Sequence, residues 1–68
     1  MSNQIETEAK RAWLQSMLTE FNGATRDQMF APVYAACGID SPSSAIDCAG
    51  AEEIHAWAAH VDGVLEGV

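Results

Sequence analysis

From Ile54 to the end of the chain, apolar residues recur at three- and four-residue intervals: Ile54, Trp57, Val61, Val64, Leu65 and Val68. At roughly 100° per residue they form one stripe, the pattern of a helix that turns one side to a core. Trp13, Leu14, Met17, Leu18 and Phe21 form a second stripe, about 140° wide on the same wheel. Ala9, Ala12 and Ser16 make a small-residue strip away from it. No stretch carries the two-residue alternation of a half-buried strand. The pattern dictates an all-α fold.

Helix punctuation divides the chain. Asn3 with Glu6 reads as a capping box, which satisfies orphan amide donors at a helix start. Glu6 and Lys10 stand four apart in the favoured acid-before-base order. Asn22-Gly23 closes this first helix, with glycine suited to a left-handed cap. Thr25 to Gln28 forms a second capping box, opening a helix that carries Met29, Phe30, Val33, Tyr34 and Cys37. Pro32 removes a backbone donor and clashes with the carbonyl four residues back, so a kink or a break into two pieces is expected there. Gly38-Ile39 closes the segment as a glycine cap followed by an apolar residue. Ser41-Pro42 places an N-cap serine before proline at the first helical position, which opens a short turn through Ala45 and Ile46. Gly50 either breaks the chain or sits in the first turn of the last helix, which runs from about Ala49 to Glu66. The expectation is a small bundle of three main helices and a short connecting one, antiparallel neighbours with short loops, in a single domain over residues 1–68.

A chain of 68 residues buries only about 60% of the surface its unfolded form exposes. Twelve of its apolar residues are alanine, so the core is thin and oligomerisation is expected to help. No apolar signal region follows a basic start, and no run approaches the length of a membrane helix. A cytoplasmic location follows as an expectation. In a reducing compartment Cys37 and Cys48 are free thiols by default.

Charge is unevenly placed. Residues 1–26 hold Glu6, Glu8 and Glu20 against Lys10, Arg11 and Arg26; residues 27–68 hold seven acids and no lysine or arginine, which accounts for the whole net charge of −7. Direct nucleic-acid binding is disfavoured, because phosphate contacts need clustered cations.

The stretch CAGAEEIHAWAAH, residues 48–60, has the inventory of a metal site but not its geometry. His55 and His60 point about 140° apart on a helix and cannot chelate one ion together, whereas zinc-protease histidines stand four apart. Glu52-x-x-His55 matches the spacing used in di-iron bundles, but such sites need a second motif and further glutamates. Cys48 and His55 are two turns apart, about 10 Å, too far for a thiol and its base. The serines of SPSSA read as caps and turn formers. No metal, no cofactor and no catalytic activity are expected.

Two features of the last helix exceed what stability requires. Glu52, His55, Asp62 and Glu66 share one flank, about 80–160° from Ile54, and the last two sit where the helix dipole disfavours acids. A flank kept negative suits a partner protein with a basic surface. Ala56, Ala59 and Gly63 lie opposite the apolar stripe, a strip that lets a second backbone approach; Gly63 costs about 1 kcal/mol against alanine in mid-helix. These features give an expected function as an acidic interaction module, an inhibitory or accessory factor of the phage or mobile-element type, in its strongest form a nucleic-acid mimic. The alternative is a structural or assembly factor acting as a homodimer.

Overall fold

The structure, a computed structural model, describes residues 2–37 and 41–67, with backbone alone for residues 2 and 3. It is all-helical: α1 Ser2–Glu20, α2 Gly23–Met29, α3 Ala31–Cys37, α4 Pro42–Cys48 and α5 Ala51–Gly67, with no strand among the described residues. The count is five, where three and a short fourth were expected. Pro32 makes the difference. It splits the expected second helix at Phe30, which leaves helical geometry at φ −109°, ψ 17° while its N–H still bonds the Arg26 carbonyl at 3.0 Å. Proline then occupies the second position of α3, where a missing N–H has no helical partner to lose.

Helix starts differ from expectation in two further places. α2 opens at Gly23, with Asn22 as N-cap and no side-chain cap bond, so the capping box expected at Thr25 lies inside the first turn. Gly23 explains this. At φ +65° it adopts the left-handed conformation foreseen for it, and that single residue both ends one helical direction and begins the next. α1 is closed by the Phe21 N–H on the Met17 carbonyl, 3.1 Å. At the other end, α1 begins at Ser2, one residue before the cap expected at Asn3, whose side chain lies outside the described residues. The glycine cap at Gly38-Ile39 and the apolar contribution of Val68 also lie outside them.

Ser41 is the N-cap of α4, though its side chain makes no cap bond, and Pro42 occupies the first helical position as expected. Gly50 breaks the chain before α5. Its carbonyl accepts the Ile54 N–H at 3.0 Å, and its N–H donates to Glu53 Oε1 at 3.4 Å, the returning half of a capping box.

All five helices feed one apolar cluster. It holds Leu14 and Leu18 of α1, Met29 of α2, Phe30 from the break, Val33 of α3, Ile46 of α4, Ala49, and Ile54, Trp57 and Val61 of α5; Trp13, Met17, Phe21, Tyr34, Val64 and Leu65 pack partly against it. Fully burying each large side chain stabilises by about 1.5–3 kcal/mol. α5 packs on α1 and α2, α4 on α1 and α3. This arrangement leaves the side of α5 opposite Ile54 in solvent.

Candidate interaction surface on the last helix

α5 is held on both flanks by its histidines. His55 is half-buried, and its Nε2 lies 3.0 Å from Thr7 Oγ1 of α1. Thr7 is only 5% exposed, so this polar pair is sheltered within the helix seam. His60 points the other way. Its Nε2 lies 2.8 Å from the Gln28 carbonyl, and a carbonyl only accepts, so this nitrogen carries the proton.

The Gln28 carbonyl is the acceptor that residue 32 would satisfy in an unbroken helix. Because residue 32 is proline, His60 supplies the missing donor from another helix. The two histidines therefore tie α5 to α1 and to the α2–α3 break. They engage different helices. Among the described residues no group of three or more His, Cys, Asp or Glu is placed to hold a metal ion.

The other flank residues are free of such ties. Glu52, Asp62 and Glu66 are exposed, as are Ala56, Ala59 and Gly63 on the outward strip. A Cβ added at Gly63 would meet nothing within 4 Å, so packing within this chain does not require glycine there. His55, assigned to the same flank from the sequence, is placed by the fold at the edge of the α1 seam.

Charge on the surface is more one-sided than the net figure conveys. All nine described carboxylates are exposed, while Lys10, Arg11 and Arg26 are each partly buried. Arg11 is committed internally. Its Nη1 reaches the carbonyls of Ile46 at 2.6 Å, Ala49 at 2.8 Å and Asp47 at 3.1 Å, which end or follow α4. Its Nε is 3.2 Å from Glu8 Oε1, the one ion pair among the described residues. A cation at a helix C-terminus meets orphan carbonyls and the negative end of the dipole. The Arg26 Nε is buried with no hydrogen-bond partner.

Gln15 adds a second link between α1 and α4. Its Nε2 donates to the Ser43 carbonyl at 2.8 Å and to Asp47 Oδ1 at 3.0 Å, and Ser43 Oγ donates back to its Oε1 at 2.9 Å. Sequence reasoning missed both residues. The available signal was on the α1 wheel, where Arg11 stands within about 60° of Leu14, on the core side.

The described residues form open depressions on the surface, two of which border α1. One, of about 490 Å³, is lined by Gln15, Ser16, Thr19 and Glu20. The other, of about 340 Å³, is lined by Gln4, Thr7, Glu8, Arg11 and Ala51. Thr7 and His55 have the separation of a nucleophile and its base, and their contact links α1 to α5. Cys37 and Cys48 are exposed thiols outside any disulfide, and Cys37 Sγ donates to the Val33 carbonyl at 3.1 Å. No described helix is long and apolar enough to cross a membrane. Comparison with protein families, curated proteins and solved structures finds no match to this chain.

Proposed function

We propose that this chain is a small acidic interaction module, not an enzyme, which docks a basic surface of a partner protein onto the exposed flank of α5. Glu52, Asp62 and Glu66 make the electrostatic contact, with His55 at the inner edge of the flank. The observation that carries this reading is the segregation of charge: carboxylates lie in solvent, whereas the three cations are partly withdrawn and Arg11 is spent inside the fold. Such a surface steers a basic partner and repels polyanions. In its strongest form the module competes with nucleic acid for the partner and acts as an inhibitor or accessory factor in the cytoplasm. We read the five helices as a small bundle in which consecutive members turn back on one another.

The test is a pull-down at low and high salt with wild type, with Glu52→Gln/Asp62→Gln/Glu66→Gln together, and with Glu20→Gln as a control. The reading expects a basic protein held by wild type and the control, lost with the triple variant, and released by salt, which screens exposed charge contacts. Equal capture by the triple variant overturns it.

A second reading rests on Gly63. Packing within this chain does not require glycine at the exposed mid-helix position 63, where a Cβ would meet open space, and the Ala56–Ala59–Gly63 strip suits a second copy. Under this reading Gly63→Leu lowers the native mass from dimer to monomer, and wild-type thermal stability rises with concentration. A wild-type monomer at every concentration excludes it.

A further inference from the structure

α4 is held by a different kind of contact from α5. Of its seven residues only Ile46 is buried, whereas α5 buries Ile54, Trp57, Ala58 and Val61. Ser43, Ser44, Asp47 and Cys48 are exposed. A helix this short does not hold itself in water. Its grip on α1 is largely polar: Arg11 on the carbonyls of Ile46, Asp47 and Ala49, and the paired bonds between Gln15 and Ser43. Segments with few buried apolar contacts and exposed backbone bonds open at lower free energy than the whole fold. Ser41 before α4 and Gly50 beyond it are exposed, while Ala49 between α4 and Gly50 is buried in the shared cluster.

We propose that α4 is a strap that opens from α1 as a unit while the other helices stay packed, with Arg11 as its clasp. Opening draws Ile46 out of the cluster it shares with Leu14 and Leu18. It also releases the Arg11 guanidinium from the carbonyls that occupy it. The movement therefore brings an apolar stripe and a covered cation into solvent on an otherwise acidic surface. α4 also packs on α3, so joint opening of α3 and α4 is the competing behaviour.

Native-state hydrogen exchange, followed residue by residue in rising urea, separates these cases. In the wild-type chain the amides of Ile46, Asp47 and Cys48 exchange about tenfold or more faster than those of Trp57 and Val61, with a much smaller urea dependence. Arg11→Ala speeds α4 exchange by a further factor of about ten or more, the consequence of losing charge-assisted bonds. If that variant does not fold, Arg11→Lys gives the same direction with a smaller factor. One shared urea dependence for α4 and α5 amides overturns the strap. So does a Tyr34 amide that follows α4, or an Arg11 variant whose α4 exchange is unchanged.

Discussion

Replacing Arg11 by alanine removes the donor that meets three carbonyls around the end of α4 and the partner of Glu8. Hydrogen bonds to a charged group contribute about 1.5–3 kcal/mol when sheltered, and less in water. The Arg11 side chain is 18% exposed, and its contacts to Ile46 and Ala49 are part-buried while that to Asp47 is exposed. Two sheltered bonds near the low end give about 3 kcal/mol. The Glu8 pair adds a few tenths, since that glutamate is 59% exposed. A chain of 68 residues has about 3–10 kcal/mol of stability in total, so the loss is severe. At about 4–8 °C per kcal/mol for a domain of this size, Tm falls by roughly 10–25 °C. Circular dichroism during thermal and urea unfolding reads this directly. Arg11→Lys keeps a charge but loses the planar fork and falls between. Glu8→Ala costs under about 1 kcal/mol. A Tm for Arg11→Ala within about 3 °C of wild type would refute the clasp, on the same scale. A Glu8→Ala loss equal to that of Arg11→Ala would assign the effect to the ion pair instead.

Three further outcomes follow from the contacts. His60→Ala lowers stability by about 0.5–1.5 kcal/mol when Pro32 is present and by less in a Pro32→Ala background, where residue 32 regains its N–H; urea midpoints of the four proteins give the coupling, and a coupling of zero contradicts the His60 account. Thr7→Val costs about 1–2 kcal/mol by leaving His55 without its buried partner, measured by the same unfolding curves. Gly63→Ala raises monomer stability by about 0.5–1 kcal/mol, because the added methyl meets open space; a loss in dilute protein would show that glycine serves the single chain.

Local rules carried far in this chain. The stripes on α1 and α5 do face the core, Gly23 does take the left-handed conformation, and prolines sit where helices start. Those features depend on residues within a few positions of each other. The links between helices do not. Arg11 meets Ile46 across 35 positions, Thr7 meets His55 across 48, and His60 meets Gln28 across 32. Spacing along one helix places these side chains on a flank but not against a partner. Pro32 carried the one readable hint, since it leaves the Gln28 carbonyl in need of a donor. The start of α2 was obscured because Thr25–Gln28 satisfies a capping pattern that Gly23 makes unnecessary. On α5 the outward directions of Glu52, Asp62 and Glu66 were legible from the wheel, whereas the tie of His55 to α1 required the fold.

The central claim is that the α5 flank is where a basic partner lands. An NMR titration of the labelled protein with a short lysine-rich peptide at low ionic strength tests it most directly. The account predicts the largest amide shifts at Glu52, His55, Asp62 and Glu66, abolished by added salt. Shifts centred on α1, or spread evenly over Glu6, Glu20 and Asp27, would contradict it.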